Sequence, residues 1–395
     1  MTPYIIAKQV VQKIVHHGYM AYFAGGYVRD RLLNHPSDDI DIATNAPTEE
    51  IMKIFPRTIP VGVNYGIVIV VHEGHHFEVA SFRKEAGYKD GRRPDHIESA
   101  TAEEDAQRRD FTINGMFFDP LSEQVFDYVG GKEDLHKKVI RAIGDPHERF
   151  LEDRLRMIRA VRYAARFHFT IDPDTIAAII AHAQDLFPAV AIERIVQEFK
   201  KMALFSNFPL ALVTLHKYQL LGQIFPQIQT LTEDEVTHRL KHLPHFPSDA
   251  PLIAKLLELF GPLPLSEKIE LCEKLKLSKE DKRFVEQLDQ WENFPPGLDD
   301  YDLVGIYAGP NAGICLSIAA LHMEDSHFRT FHEEKMALLQ RAIVRRKEGK
   351  TIVTSAHLME RGIEPGIRMG KLLIDAERIA VNHHLDTPDA ILSRL

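Results

Sequence analysis

The sequence has little cysteine and no long apolar run, and each absence narrows the class of protein. Its 395 residues include two cysteines, Cys272 and Cys315, which lie far apart and have no metal-ligand neighbours. They predict buried thiols in a reducing compartment, not a disulfide framework. No stretch reaches the length needed to span a bilayer, and the first residues lack the basic and apolar segments of a secretory signal. We therefore expect a cytoplasmic protein that makes no membrane contact.

An excess of positive charge is absent as well. The chain has 48 lysine and arginine residues against 57 aspartate and glutamate residues, which gives a formal net charge of −9. This balance argues against a general polyanion binder coated in positive charge. It does not exclude RNA, because a local basic groove can bind phosphates while the rest of the surface stays acidic.

What the sequence does contain is a pair of aspartates, Asp39 and Asp41, on either side of the apolar Ile40. In a strand the two carboxylates point to the same face and could share one or two divalent cations, while Ile40 enters the core. Mg²⁺ held in this way can lower the pKa of an attacking hydroxyl and bridge the phosphates of a nucleoside triphosphate. Taken alone, an Asp-x-Asp pattern is more often a solvated strand end.

The residues before this pair predict a place for a triphosphate. The run from Ala21 to Ala24 indicates a strand, Gly25 and Gly26 a turn, and the run from Val28 to Leu33 a short helix. Glycines at a helix N-terminus let backbone N–H groups approach phosphate, and the helix dipole favours negative charge there. Two weak motifs in this order support each other and indicate nucleotidyl transfer.

A third carboxylate follows in the predicted strand from Phe77 to Ser81. Glu78 points to the face opposite the apolar residues of that strand, so it is either a partner of the two aspartates or a surface glutamate on an edge strand. The polar stretch from Lys84 to Gln107 has no usable periodicity. We expect it to be a long irregular loop that acts as a lid beside the active strand.

The segment from Arg108 to Gly115 is rich in groups that bind phosphate and sugar. Arg108 and Arg109 carry guanidinium forks suited to phosphate, and Asp110 and Asn114 are short polar groups that can bind a ribose or a phosphate oxygen. A salt-bridged helix start would explain the same residues. Beside a metal site, triphosphate binding is favoured.

A second charged segment predicts one helix from Phe150 to Phe167. Glu152, Asp153, Arg156 and Arg159 would share a face of this helix. Ion pairs on an amphipathic helix are a sufficient explanation. The functional alternative is base recognition, because an arginine fork and a carboxylate can pair with the edge of cytosine or adenine while rejecting uracil and guanine.

The distribution of these patterns predicts an α+β fold of more than one domain. Short apolar strands mix with helices up to about Gly144, and strand signals nearly vanish from Pro146 onward. A length of 395 residues indicates two to four domains. Proline-rich joints at residues 243–247 and 294–297 indicate boundaries within the helical part.

In their order, these motifs resemble those of class II tRNA nucleotidyltransferases, the CCA-adding enzymes, whose relatives are bacterial poly(A) polymerases and split CC-adding or A-adding enzymes. The resemblance runs over nearly the whole chain. The matching segments are the glycine turn with Asp39 to Asp41 (metal and triphosphate), Arg108 to Asn114 (ribose and phosphate), Asp127 to Leu135 (hinge), Glu152 to Arg156 (protein template for the base), Ala191 to Glu198 (neck-stabilising helix) and Leu358 to Leu373 (tail).

The resemblance implies a polymerase-beta-like nucleotidyltransferase head followed by an all-helical neck, body and tail. The expected ranges are 1–144 for the head, 145–205 for the neck, 206–293 for the body and 294–395 for a tRNA-binding tail. Asp39 and Asp41 would hold Mg²⁺, with Glu78 as a further catalytic residue. The implied nucleotide-binding residues are Gly25, Gly26, Arg29, Arg109, Asp110, Asn114, Glu152, Asp153, Arg156 and Arg159.

The implied reaction adds C, C and then A to the tRNA acceptor end from CTP and ATP, releases pyrophosphate, and needs neither a nucleic-acid template nor a protein partner. The long segment after Arg83 favours competence to add A, and Val61 to Gly66 lacks the arginine-rich insertion of poly(A) polymerases. A-addition alone and poly(A) synthesis are the alternatives within the family. A catalytically inactive RNA-binding protein is the alternative outside it.

Overall fold

The computed structural model describes residues 2–35, 37–86, 96–323, 325 and 327–395. The chain folds as two compact units, one ending at His238 and the other beginning at Arg239. The first unit contains the sheets, and the second is helical throughout its described residues. The α+β fold with a sheet-containing head and a helical remainder is therefore confirmed, whereas the four-part division stays a prediction.

The strands lie in the first unit. Their bounds are β1 (Ala21–Ala24), β2 (Asp41–Thr44), β3 (Thr58–Gly62), β4 (Ile67–His72), β5 (His75–Ser81), β6 (Arg83–Ala86), β7 (His96–Ser99), β8 (Met116–Asp119), β9 (Gln124–Asp127), β10 (Val139–Ile140) and β11 (Thr170–Ile171).

The helices up to the division between the units are α1 (Pro3–His16), α2 (Gly26–Leu32), α3 (Thr48–Ile54), α4 (Ala102–Gln107), α5 (Gly131–Lys137), α6 (Pro146–Glu152), α7 (Leu155–Phe167), α8 (Pro173–His182), α9 (Ile192–Met202), α10 (Phe208–Lys217), α11 (Leu220–Ile224) and α12 (Glu233–Arg239). Those of the second unit are α13 (Leu252–Leu257), α14 (Leu265–Lys274), α15 (Lys279–Glu292), α16 (Asp300–Tyr307), α17 (Ala312–His322), α18 (Phe328–Leu338), α19 (Gln340–Lys347), α20 (Ser355–Met359), α21 (Ile367–Asn382) and α22 (Pro388–Leu392). Short 3₁₀ turns occur at Val63–Tyr65, Thr112–Asn114, Ala183–Asp185, Pro226–Ile228 and Leu240–His245.

A seven-stranded sheet forms the centre of the head, in the order β3-β4-β5-β2-β1-β8-β9. Only the β2–β5 pair is parallel among these neighbours. The apolar stripe of α1 packs on β1 and β5 on one face, with Phe77 and Val79 buried beneath it. On the other face α4 covers Phe82 and Phe117. Burial of each such large side chain contributes about 1.5–3 kcal/mol, and it fixes the sheet that carries the acidic residues.

The predicted irregular segment after Arg83 is wrong in part, because the structure forms regular elements there. Strands β6 and β7 pair antiparallel, and α4 follows with a capping box between Thr101 and Glu104. The polar side chains of an exposed hairpin give no apolar period, which hid it from pattern analysis. Residues 87–95, the remainder of the predicted lid, lie outside the described residues.

The single helix predicted from Phe150 to Phe167 is also wrong. Helix α6 ends at Glu152 and α7 begins at Leu155, and Asp153 between them has an extended backbone with φ −147° and ψ 103°. The Asp153 carboxylate accepts a hydrogen bond from the backbone N–H of Leu155 at 3.1 Å. Aspartate competes for local backbone donors in this way, and the chain therefore turns where its helical periodicity continues.

Two further expectations concern cysteine and membranes. Cys272 and Cys315 are buried thiols, as predicted, and burial raises the pKa of Cys272 to about 11 and that of Cys315 to about 12.

In the part of the chain that the structure describes, none of the helices has by itself the length and apolar character needed to cross a membrane. Helices α16 and α17, which are bent by 104°, meet those criteria only as a pair.

Candidate active site

The structure brings Asp41 and Glu78 to one face of the sheet, and Asp39, which precedes β2 and was predicted to lie within it, places its charge beside Asp41. Asp39 and Asp41 are exposed, and Ile40 between them is 4% exposed, as the alternation predicts. Strand β2 begins at Asp41 and pairs Ile42 with Val79 of β5, so the same register continued by one residue places Asp41 opposite Glu78. Within the described residues, no hydrogen bond or ion pair engages any of the three carboxylates.

The neighbouring carboxylates affect the protonation of Asp41. Its pKa is raised from the ordinary value to about 6, first because the surrounding protein displaces water from the carboxylate and then because Glu78 and Asp39 place negative charge beside it. Arg109 acts in the opposite direction but does not outweigh them. The negative charges of Asp39 and Glu78 therefore act on Asp41 more strongly than the positive charge of Arg109 does.

The glycine turn places Arg109 at the edge of this acidic group. Gly25 has φ +63°, and a Cβ built there would lie 3.0 Å from Nη1 of Arg109 and 3.8 Å from the carbonyl oxygen of Asn114. A side chain at this position would be strained and would push the guanidinium away. The glycine thus lets Arg109 lie directly on the backbone before α2.

Asp105, which no motif in the sequence had singled out, holds both arginines of this segment. Its carboxylate accepts from Arg108 Nη2 at 2.7 Å and from Arg109 Nη2 at 2.9 Å. Burial acts to raise the pKa of Asp105, but Arg109 and Arg108 together outweigh it and hold that pKa below its usual range. The spacing of Asp105 three and four residues before two arginines on a helix end was a signal that could have found it.

These groups surround a cavity of about 210 Å³ on the face of the sheet. Small side chains leave room for it, and charged side chains lie around it. Its lining residues are Ala24, Asp41, Ile42, Ala43, Ile67, Glu78, Ala80, Arg83, Arg108 and Arg109. Carboxylates and guanidinium groups around one cavity suit a ligand that has phosphates and a divalent cation together.

A buried network adjoins the glycine turn. Asp110 is 9% exposed and Asn114 is 6% exposed, and Asn114 Nδ2 donates to Asp110 Oδ1 at 3.0 Å. Arg159 Nε donates to Asp110 Oδ2 at 2.9 Å. Although burial acts to raise the pKa of Asp110, Arg159 holds it well below the usual range. Arg159 therefore keeps this carboxylate ionised inside the protein.

Arg29 belongs to this network and not to the cavity. It is 3% exposed, its Nε donates to Asp30 Oδ1 at 2.8 Å, and its Nη1 donates to Oδ1 of Asn114. Asp30 in turn accepts from Arg166 Nη2 at 2.9 Å. Helix α2, which follows the glycine turn, is thereby tied to α7.

The predicted base-reading residues lie at the break between α6 and α7, and their side chains have different partners. Arg194 Nη2 donates to Asp153 Oδ2 at 2.7 Å. Arg156 Nη1 donates to Glu152 Oε2 at 2.6 Å, and its Nη2 donates to the carbonyl oxygen of Arg108 at 3.1 Å. The last bond attaches the base-reading segment to the arginine segment beside the cavity.

Comparison with known proteins shows the family of the chain. Residues 21–141 match the family model described as the poly A polymerase head domain, and residues 168–231 match the probable RNA and SrmB-binding site of polymerase A. A CCA-adding enzyme from Lactococcus lactis subsp. lactis is 34% identical over 395 residues, which cover 98% of this chain and 96% of that protein. The chain belongs to the family of CCA-adding enzymes.

Other members of this family are similar over part or all of the chain. A CCA-adding enzyme from Pediococcus pentosaceus is 48% identical over 204 residues, 51% of this chain and 50% of that protein. The crystal structure of the Bacillus stearothermophilus CCA-adding enzyme in complex with CTP superposes with a TM-score of 0.80 at 26% identity, covering 100% of this chain and 98% of that one. CCA-adding enzymes are tRNA nucleotidyltransferases, so the chain is an enzyme of this class, as its motifs predicted.

The carboxylates of this CCA-adding family member fit Mg²⁺ in ligand type and in charge. Within the described ranges, no group of three or more His, Cys, Asp or Glu side chains is arranged to hold a metal ion. Mg²⁺ does not need such a group, because it is commonly held by one or two carboxylates together with water and substrate phosphates. The carboxylates of Asp39 and Asp41 are oxygen donors of this type, and the negative charge of Asp39 and Glu78 raises the pKa of Asp41 further.

Proposed function

We propose that the protein adds the complete 3′-terminal CCA to tRNA, using CTP and then ATP without a nucleic-acid template. The observation that carries this proposal is the cavity in which Asp41 and Glu78 face Arg108 and Arg109. The family relatives support it, since the Bacillus stearothermophilus enzyme, which has the same fold over the whole of this chain, forms a complex with CTP. The substrates of such a reaction occur in the cytoplasm, where we propose that the protein acts.

In the proposed reaction, the 3′-hydroxyl oxygen of the RNA attacks the α-phosphorus of the bound nucleotide. One P–O bond forms to the RNA, the bond to the β-phosphate oxygen breaks, and pyrophosphate leaves while the hydroxyl proton passes to solvent. Asp39 and Asp41 would hold Mg²⁺, with Glu78 beside them. When bound, two such ions lower the pKa of the attacking hydroxyl and stabilise the leaving oxygen.

The rest of the nucleotide would be bound by groups close to the glycine turn. Gly26 begins α2, and we propose that its backbone N–H binds the triphosphate; the N–H of Gly25 donates to the carbonyl oxygen of Met116 at 3.2 Å, so Gly25 acts by leaving space. Arg109 lies against this turn and lines the cavity. Asp110 and Asn114 are the proposed sugar-binding pair, in which Asn114 Nδ2 keeps one hydrogen for the ribose among the described residues. Asp110 orients that amide, because its carboxylate already accepts from Asn114, from two N–H groups of Arg159 and from the backbone N–H of Phe111 at 2.8 Å. Arg29 and Arg159 would act by holding this pair.

Arg156 and Asp153 retain hydrogen-bonding capacity for a base. The described partners of Arg156 use three of its five N–H groups, which leaves the edge formed by Nε and one hydrogen of Nη2. Asp153 accepts two bonds from Arg194 and one from Leu155, which leaves one of about four acceptor positions. One fork and one acceptor match the edge of cytosine or adenine, whereas Glu152 and Arg194 would hold the two readers in place.

The direct test is nucleotide addition to defined RNA. Transcripts that end before the CCA, after CC, or that are unrelated to tRNA are supplied with CTP and ATP separately and together. We expect three nucleotides, C, C and A, on the first transcript and one A on the second. Extension of the CC-ended transcript alone would identify an A-adding enzyme, and long A tails on unrelated RNA would identify a poly(A) polymerase.

An inactive RNA-binding protein is the remaining alternative. Replacing Asp39 with Ala should abolish incorporation while tRNA binding, measured by filter retention, stays within about twofold, because the carboxylate contributes only through the proposed metal. Incorporation at the wild-type rate would refute the metal assignment. Absence of incorporation by the wild-type chain on every transcript would favour the inactive protein.

We further propose that tRNA lies along the predicted neck (145–205), body (206–293) and tail (294–395). The helical composition of these ranges and the family match over residues 168–231 support this proposal. Removal of the second compact unit, Arg239–Leu395, should raise the KM for tRNA more than the KM for CTP, and an equal effect on both would contradict the assignment.

A further inference from the structure

One aromatic ring supports both arginines that hold the sugar-binding pair. Tyr163 lies on α7 and is 6% exposed. The guanidinium carbon of Arg29 lies 5.1 Å from the centre of its ring, and that of Arg159 lies 5.4 Å from the same centre. These are distances at which a cation is attracted to an aromatic face.

Each of these arginines binds one member of the sugar-binding pair. Arg29 Nη1 donates to Oδ1 of Asn114, and Arg159 Nε donates to Oδ2 of Asp110 at 2.9 Å. Because Asn114 Nδ2 also donates to Asp110 Oδ1 at 3.0 Å, the four polar side chains form one continuous path. That path begins and ends on Tyr163.

The hydroxyl of Tyr163 adds a directed contact. Arg159 Nη2 donates to the Tyr163 hydroxyl oxygen at 3.1 Å while it also donates to Asp110. The ring is itself held in place, since Arg162 lies 4.1 Å from its centre and donates through Nε to Glu198 of α9. Tyr163 is therefore fixed by the neck helices and faces the residues of the head.

We propose that Tyr163 is a positioning residue for sugar recognition, which aligns Asp110 and Asn114 through Arg159 and Arg29 and so sets the preference for ribonucleotides over deoxyribonucleotides. The inference rests on the proposed role of Asp110 and Asn114 in binding the ribose. The Asn114 amide, oriented by Asp110, must be held within a few tenths of an ångström to donate to a 2′-hydroxyl, because hydrogen bonds weaken steeply as distance and angle depart from their optimum. Small shifts of either arginine would therefore affect the ribose more than the triphosphate.

The experiment measures kcat and KM for addition of a single CMP from CTP and from dCTP. Tyr163→Leu removes ring and hydroxyl and should lower the ratio of the two kcat/KM values by about tenfold. Tyr163→Phe keeps the ring and should lower the ratio by about threefold. If Tyr163→Leu does not fold, Tyr163→Phe still tests the contact with Arg159.

A matched control separates positioning from packing. Phe169 is a buried aromatic residue six positions later, which contacts Phe167 at 5.7 Å between ring centres and has no arginine against its ring within the described residues. Phe169→Leu should lower thermal stability as Tyr163→Leu does, yet leave the CTP to dCTP ratio unchanged. An equal fall of the ratio in Phe169→Leu would mean that loosened packing, not Tyr163, sets the preference.

Asn114→Ala distinguishes failure of the inference from failure of the proposed function. A reduced ratio in Asn114→Ala together with an unchanged ratio in both Tyr163 variants would overturn the inference and leave the sugar assignment intact. An unchanged ratio in Asn114→Ala and in the Tyr163 variants would overturn both. Graded falls in Tyr163→Phe and Tyr163→Leu, with a fall in Asn114→Ala, would support both.

Discussion

Two groups of carboxylates in the head have opposite environments. Asp39, Asp41 and Glu78 are exposed and have no partner among the described residues, whereas Asp105 and Asp110 are buried and held by arginines. The difference appears in their protonation. The pKa of Asp41 is raised by loss of water and by neighbouring negative charge, and those of Asp105 and Asp110 are lowered because the arginines outweigh burial. The comparison teaches that the second group already has its cations within the protein, whereas the first group has no ion pair among the described residues.

The largest loss of activity is expected when one charge is removed from the first group, Asp39, Asp41 and Glu78. Asp41→Asn keeps the shape of the side chain but removes its charge, and CMP incorporation should fall about a thousandfold or more because the Mg²⁺ contribution is worth several kcal/mol. Steady-state incorporation on a CC-lacking transcript measures it. Glu78→Gln is the matched comparison, and a loss as large as that in Asp41→Asn would show that Glu78 acts as a full metal ligand.

A substitution in the second group, Asp105 and Asp110, should lower the stability of the protein. Asp110→Asn leaves the guanidinium of Arg159 with Glu198, at 3.9 Å, as its remaining counter-charge, which should lower the free energy of unfolding by about 2 kcal/mol. Urea unfolding followed by circular dichroism measures this change. Glu78→Gln, at an exposed and unpaired site, should change it by less than about 0.5 kcal/mol. Equal effects of the two substitutions would remove the distinction between the groups.

Arg156 has features of both groups. It is paired within the protein, like the second group, and it retains N–H donors for a ligand. Arg156→Ala should reduce discrimination of CTP and ATP against UTP and GTP by about tenfold, as one two-pronged contact to a base contributes about 1–3 kcal/mol. Arg149→Ala is the control, because Arg149 also binds Glu152, at 2.6 Å, but is not a proposed reader. Preserved discrimination in Arg156→Ala would exclude this segment as the template.

The pH dependence of the reaction tests whether Asp41 must be ionised. Since the pKa of Asp41 is about 6 and the metal needs the ionised form, activity should rise by about tenfold per pH unit below 6 and level off above it. More Mg²⁺ should move this midpoint to lower pH, because metal and proton compete for the same oxygens. A midpoint independent of Mg²⁺ concentration would indicate that another group titrates.

The smallest expected effect concerns stability without metal. The folded-state pKa of Asp41 lies above its ordinary value, so the folded protein retains a proton that the unfolded chain loses between about pH 4 and pH 6, and stability falls as pH rises through that window. Asp41→Asn removes this penalty. In EDTA at about pH 7.5 the variant should be more stable by about 1 kcal/mol, a figure reduced for solvent screening of the exposed carboxylate. The gain should shrink at about pH 5, and a constant gain would contradict this account.

Much of the head follows from local patterns in the sequence. The strand at Ala21 to Ala24, the burial of Ile40 and the exposure of Glu78 were predicted because a period of two decides which side chains face the core. The α6–α7 break was not predicted, because the side-chain contact between Asp153 and Leu155 competes with an otherwise helical pattern. The hairpin of β6 and β7 was missed because its polar strands lack that period.

The predicted site residues were found together only in part. Asp39, Asp41, Glu78 and Arg109 lie around or beside one cavity, but Arg29 and Arg159 are turned into the buried network. Arg159 and Asp110 are 49 residues apart in the chain, and no spacing rule pairs residues at that separation. The resemblance to a family could indicate such residues as functional, whereas the structure shows what they touch.

The turn at Gly25 affects how close the guanidinium of Arg109 comes to the main chain. The guanidinium of Arg109 rests against main-chain atoms, at a place where a single added methyl carbon would lie 3.0 Å from it. The missing Cβ lets this charge come closer to the end of β1 than a larger residue would allow, and two hydrogen bonds to Asp105 hold it there. The closeness of the positive charge to the main chain thus depends on an atom that the sequence leaves out.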